Sequence, residues 1–302
     1  MPLRRAPRIG GRLFVGIFAL NEDPVLVALR MRLRALGVGL AAIAGIALCA
    51  AAGGETQARG EDLPMPAALF ASPNFLPRAH SHNDYEQLHP CSDAIAARVS
   101  SIEADLWLEG EKVLVGHDRG KWRGDLESLY LKPLNALWER DALPVGPDGV
   151  FLLWLDLKDA SPGLRSRLHE LLEAYPFTKA RDERHQAVQV ILTGNAVAKE
   201  SFVTEYPSAV VTRDSNTFSE EDPEGTPAWS WYAVNWKTVA GGDGKTEITP
   251  EQREKLRAVV AKVHAKGRKL RLWNHPAGLE FWEMATAAGV DRLGTDRLPG
   301  GK

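Results

Sequence analysis

Eight short apolar runs, separated by stretches of helical periodicity, recur from residue 75 to the end of the chain, and this alternation restricts the fold more than any other feature. The runs are 75–80, 101–108, 150–157, 187–193, 209–213, 231–236, 269–274 and 292–295. Between most of them apolar residues return at helical spacing, over 90–99, 126–140, 162–174, 196–205, 250–266 and 278–288. Strands apolar almost throughout, alternating with helices, belong to a parallel sheet covered on both faces. Eight such units in roughly 230 residues predict a distorted TIM (β/α)8 barrel; a doubly wound open sheet is the alternative. Two irregularities stand against full regularity. Residues 214–230 show no helical period, and the chain ends too soon after the eighth run for a complete closing helix.

Chemistry in such a barrel gathers at the C-terminal ends of its strands. Glu103 and Asp105 lie two apart in the second run, so a strand turns both to one face while Ile102, Ala104 and Leu106 take the other. Two carboxylates that close need a cation between them or a proton on one. The third run, FLLWLDLKD, repeats the device with Asp156 and Lys158. Three acids from two strands make a hard-oxygen site for one divalent cation, Mg2+ first and Ca2+ second. The plainer reading is an internal salt-bridge layer with no ion. His80 closes the first run and His117 follows a hairpin-like segment after the second, which supplies two imidazoles that exchange protons near neutrality. Lys158, Trp273 and Asn83 form the predicted substrate-binding set. His82 and Asp84 are expected to order the loop after the first strand, and His275 to decorate the rim.

Taken in order, Ala79-His80, Glu103-x-Asp105, Gly116-His117-Asp118, Asp156-x-Lys158, Trp273 and the ending from Gly289 to Leu298 resemble the superfamily of phosphatidylinositol-specific phospholipase C-like phosphodiesterases, which includes the glycerophosphodiester phosphodiesterases. HSHNDY, SIEADLW and VGHD are most similar to its branch named after a fungal "altered inheritance of mitochondria" protein. The resemblance implies a TIM-type barrel, a divalent metal held by Glu103, Asp105 and Asp156, and His80 with His117 as an acid–base pair acting on a phosphodiester. It gives Lys158 the task of neutralising phosphate charge. Two departures matter: His80-Ser81-His82 stands where glycerophosphodiesterases have His-Arg-Gly, and their inserted subdomain is reduced to 119–149. The expected function is an exported, metal-dependent phosphoric diester hydrolase acting on a phospholipid-derived or glycerophosphodiester-type substrate. A non-catalytic barrel binding a phospholipid or phospho-sugar, and a phosphomonoesterase, are the alternatives.

A formal net charge of −2, without a basic stripe, argues against a nucleic-acid partner. Residues 35–54 carry no charge, follow Met31-Arg32-Leu33-Arg34 and end in Ala50-Ala51-Ala52, the order of a secretory signal cleaved near Ala52. Residues 1–52 are therefore expected to be a signal peptide, with Met31 as an alternative start, 53–73 a linker and 74–302 the barrel domain. An uncleaved anchor is the rival, since about 20 apolar residues span a bilayer. A lipid substrate would bring the barrel to a membrane surface. Only Cys91 is left after cleavage, which excludes an internal disulfide in the mature chain.

Overall fold

The strand Val150–Leu157, β5, shows how this sequence builds its core. Leu152 and Trp154 face one way with Asp156 beyond them, while Phe151, Leu153, Leu155 and Leu157 face the other, and all six apolar side chains are fully buried. A strand buried on both faces needs partners on both edges and cover on both sides. In the computed structural model, which describes residues 76–179, 185–241 and 248–298, it has them. The signal peptide and linker expected over 1–73, and Phe75 at the start of the first run, lie outside these residues.

The strands are β1 (Ala79–Ser81), β2 (Ser101–Glu109), β3 (Lys112–Val115), β4 (Gly124–Asp125), β5, β6 (Ala187–Gly194), β7 (Val211–Ser215), β8 (Trp229–Asn235), β9 (Lys269–Trp273) and β10 (Arg292–Thr295). Eight are joined side by side and parallel in the order β1-β2-β5-β6-β7-β8-β9-β10, and β10 pairs with β1 to close the ring. The result is a TIM-type barrel, and each barrel strand falls on one of the eight apolar runs. The open sheet is excluded by the β1–β10 pairing. Outside the ring, the far half of β2 pairs antiparallel with β3, and β3 with β4, so a small hairpin sheet rises from one side of the mouth.

Helices cover the outer face: α1 (Ser92–Ala96), α2 (Lys132–Trp138), α3 (Pro162–Glu173), α4 (Ala196–Glu205), α5 (Trp236–Ala240), α6 (Pro250–Ala265) and α7 (Leu279–Ala287). Their starts are chemically marked. Ser161 accepts from the Leu164 N–H at the head of α3, and Thr249 and Gln252 form a reciprocal capping box on α6. Between β7 and β8 no helix forms, as the missing period foretold; Arg213 and Arg268 instead stack on Trp229 with guanidinium carbons 4.3 and 3.7 Å from its ring centre. None of the described helices is long and apolar enough to cross a membrane.

The inside of the barrel is a second, smaller core of Val150, Leu152, Trp154, Ile191, Trp231 and Ala233. Trp154 meets Trp231 edge to face at 5.3 Å, and the Trp231 indole donates to Gln189 Oε1 at 3.0 Å. Above this plug the interior turns polar.

Candidate active site and metal centre

The parallel register of β2 and β5 sets Glu103 beside Trp154 and Asp105 beside Asp156. The period of two then stacks Glu103 one level below Asp105, and one oxygen from each of Glu103, Asp105 and Asp156 falls within 4.8 Å of the others. Lys158 reaches back between the two upper acids, its Nζ donating at 2.8 Å to Asp105 Oδ2 and at 2.8 Å to Asp156 Oδ2. Tyr85 donates to the same Asp105 oxygen at 2.7 Å. Each aspartate keeps its Oδ1 buried and without a hydrogen-bond partner. Two unmet buried acceptors beside a third carboxylate are costly unless a cation takes them, so the donor set fits a hard divalent ion. Burial, then the charge of Asp156, push Asp105 up to about 6 against the pull of Lys158. Burial works against the Lys158 ammonium, but Asp156 and Asp105 outweigh it and hold that charge firmly.

Glu103 is held differently. Burial opposes its charge, yet Arg271 overcomes this with a bidentate pair, 3.1 Å to Oε1 and 2.7 Å to Oε2, and His82 and His80 add to it, so the carboxyl stays well below its usual range. Arg271 comes from β9 and lies over the Trp154 ring, 4.9 Å from its centre.

The two histidines of the opening motif exchange their expected places. His80 lies within β1, fully buried. Its Nε2 meets Glu103 Oε2 at 3.0 Å and its Nδ1 meets Ser101 Oγ at 2.8 Å. Facing a carboxylate, Nε2 must carry the hydrogen; Nδ1 then accepts from the Ser101 hydroxyl, which itself accepts from the Trp154 indole at 3.1 Å. Burial, with Arg271 adding to it, lowers this ring to about 3. A neutral imidazole with both nitrogens engaged and no exposed surface does not suit the acid–base role predicted for His80; it is a structural brace. His82, expected only to order a loop, stands one step past the strand at the mouth. Its Nδ1 is 2.6 Å from Asp296 Oδ1, its Nε2 is 3.8 Å from Glu103 Oε2, and its side chain is 21% exposed. Burial favours the neutral ring, but Glu103 and Asp296 prevail and raise it to about 9.

His117 lies on the hairpin side with its side chain 50% exposed and Nδ1 3.0 Å from Asp118 Oδ1. It lines a cleft of about 580 Å³ with Asn83, Tyr85, Glu86, Asp118, Lys121, Trp122 and Arg123. Asn83, in the left-handed region at φ 46°, sets its side-chain amide 2.9 Å from the Tyr85 hydroxyl oxygen. Tyr85 therefore ties the cleft to Asp105. Trp273 is half-buried at the end of β9, its indole donating to the Ala233 carbonyl at 3.3 Å. Asp84 is wholly buried and accepts from Ser81, Tyr130 and the Cys91 N–H, which fixes the loop carrying His82. His275 stacks on Phe281 at 4.6 Å behind the rim.

Residues 73–144 match the AIM6-like phosphodiesterase domain. That stretch runs from β1 to the end of α2 and carries His80, His82, Glu103, Asp105 and His117; Asp156, Lys158, Arg271 and Asp296 lie beyond it. The chain is 28% identical over 264 residues to Altered inheritance of mitochondria protein 6 of Eremothecium gossypii, an alignment covering 74% of this chain and 68% of the relative. A homolog from Arthroderma benhamiae is 26% identical, with 74% and 82% covered. Among solved structures, a glycerophosphodiester phosphodiesterase from Parabacteroides distasonis superposes with a TM-score of 0.49 at 15% identity, covering 72% of this chain and 92% of that one.

Proposed function

We propose that this barrel is an exported phosphoric diester hydrolase that uses one divalent cation, Mg2+ in the first instance, with His82 and His117 as its proton-transfer groups. The observation that carries the reading is the pair of buried, unpartnered oxygens on Asp105 and Asp156 beside Glu103, set at the mouth next to His82. Glu103, Asp105 and Asp156 would hold the cation, which supplies Lewis-acid stabilisation of charge on a phosphoryl oxygen. Net charge favours a diester. Three carboxylates against Lys158 and Arg271 leave one negative charge, which a divalent ion turns into one positive, the complement of a phosphodiester monoanion.

As the nucleophile's oxygen bonds to phosphorus, one histidine takes its proton; as the P–O bond to the leaving group breaks, the other histidine gives a proton to the departing oxygen. The nucleophile is water, or a neighbouring alcohol that would give a cyclic product. His82 lies between two carboxylates and starts as the charged, proton-giving ring; the half-exposed His117 faces the cleft and takes the nucleophile's proton. Lys158 can turn one N–H toward a non-bridging oxygen. The substrate class is a small-molecule or lipid phosphodiester, met at a membrane surface if a lipid, without nucleic acid.

The bridge from Lys158 to both aspartates favours a second reading, a salt-bridge layer in a binding protein. One experiment separates the two. After chelation and dialysis, Mg2+ is expected to raise the melting temperature and restore hydrolysis of bis(p-nitrophenyl) phosphate, with p-nitrophenyl phosphate hydrolysed more slowly. His82→Ala and His117→Ala are each expected to lose on the order of 100-fold or more in kcat with the fold retained, the melting temperature staying unchanged in His117→Ala and falling in His82→Ala, which gives up the ion pairs with Glu103 and Asp296. No Mg2+ effect on melting and no diesterase activity would leave the salt-bridge layer as the answer.

A further inference from the structure

The loop leaving β1 is clamped at two points, and Tyr85 stands between them. The His82 N–H donates to the Thr295 carbonyl at 3.0 Å, and the Gln87 amide donates to the Asp296 carbonyl at 2.7 Å. Next to Tyr85, Asp84 is tied down by Ser81, Tyr130 and the Cys91 N–H. Tyr85 is 1% exposed, and its hydroxyl donates to Asp105 Oδ2 at 2.7 Å. The single hydrogen of that hydroxyl goes to the carboxylate, which can only accept. Lys158 Nζ donates to the same oxygen at 2.8 Å. The neighbouring acids are engaged in a comparable way. Lys158 takes Asp156 Oδ2 at 2.8 Å, while Arg271 takes both oxygens of Glu103 and His80 adds a second donor to Oε2. Each of the three acids thus has at least one oxygen already taken, and each aspartate has its other oxygen, Oδ1, buried and unpartnered.

Resting on the reading of Glu103, Asp105 and Asp156 as a metal centre, we infer that Tyr85 is a positioning residue that selects the ion: by occupying Asp105 Oδ2 it leaves that acid one oxygen to give, and the centre takes Mg2+ in preference to Ca2+. Ca2+ gathers about six to eight oxygens and readily uses both oxygens of one carboxylate, whereas Mg2+ takes single oxygens at shorter range and keeps several waters. Acids that offer one oxygen apiece fall short of what Ca2+ uses and are enough for Mg2+. Lys158 cannot impose this alone. It is shared between two aspartates, its side chain is 21% exposed, and the proposed reaction turns one of its N–H groups to phosphate. Tyr85 is buried on a clamped loop, so Asp105 keeps its second oxygen engaged when the lysine moves.

The test uses the full chain, stripped with chelator, dialysed, and titrated with Mg2+ and with Ca2+ in a calorimeter without substrate. Mg2+ is expected to bind the unaltered protein more tightly than Ca2+ does. In Tyr85→Phe the ratio of the Ca2+ to the Mg2+ dissociation constant should fall on the order of 10-fold, because Asp105 can then offer both oxygens. Tyr232→Phe is the control: this tyrosine is as deeply buried and donates at the same 2.7 Å, but to Asp222 rather than to one of the three acids, so the ratio should stay where it is. If Tyr85→Phe weakens both ions by one factor and leaves the ratio unmoved, the tyrosine is merely structural and the assignment is overturned; Ca2+ binding the unaltered protein more tightly than Mg2+ overturns it too. Lys158→Met frees the corresponding oxygen of Asp156 at a more exposed side chain and should also lower the ratio. No change there refutes the rule of one oxygen per acid on which the assignment stands, even if Tyr85→Phe does not fold. Failure of both ions to bind the unaltered protein refutes the metal centre and the assignment with it, whereas binding with an unmoved ratio sinks the assignment alone.

Discussion

His82 sits between Glu103 and Asp296, and both acids favour its proton, so this one ring links the stability of the barrel to pH. An unfolded histidine titrates near 6.5 and the folded ring near 9. Between those values the folded state binds more protons, so the stabilisation is complete below about pH 6.5 and is lost as pH rises through 9. Urea midpoints measured in chelator from pH 6 to 10 should therefore fall more steeply for the unaltered protein than for His82→Gln; parallel curves would contradict it. The exchange of places between His80 and His82 shows where reading from residues stops. Strand β1 is three residues long and buried throughout, so no alternation phases it, and nothing in HSHND says which histidine is the last to point into the barrel. The Thr295–His82 and Glu103–His80 contacts decide it, and they cross 213 and 23 positions of sequence. Arg271 was within reach: in KLRLW it is a charge facing the same way as Lys269 and Trp273 in a buried strand, the signal that had singled out Asp156.

At the scale of elements, the aspartates are aligned by register and by one turn. Gly194 ends β6 at φ +82°, and a Cβ there would overlap Asp156 Oδ1 and come within 2.8 Å of the Leu157 carbonyl. Only glycine lets β6 pass this close to a would-be ligand. Gly194→Ala should cost about 1–3 kcal/mol and displace the Asp156 carboxylate, so the Mg2+-induced rise in melting temperature should shrink. Gly110→Ala supplies the control, because it has a similar φ of +60° with nothing near its Cβ; it should lose stability alone. Equal Mg2+ responses in the two variants would mean that the turn does not support the metal centre. The eight barrel strands were legible because each falls on a short, largely apolar run set between helical patterns, and so was the absence of a helix between β7 and β8. The small sheet of β3 and β4 was visible only as a hairpin-like segment, since β4 has two residues and its pairing to β3 is not a periodic pattern.

The whole barrel depends on a floor as well as a mouth. Trp154 touches His80 at 5.4 Å and Trp231 at 5.3 Å, lies beneath Arg271 and donates to Ser101, so it joins the apolar plug to the polar layer above it. Trp154→Ala is expected to cost about 3–5 kcal/mol in urea unfolding, with loss of Mg2+ binding as Glu103 and Arg271 shift; a loss under 1 kcal/mol would mean that the ring closes without its filling. That filling also makes the interior a blind alley. A molecule that comes in past the rim has no exit at the opposite end, so the severed halves of a substrate have to back out along the way they came before another can take their place.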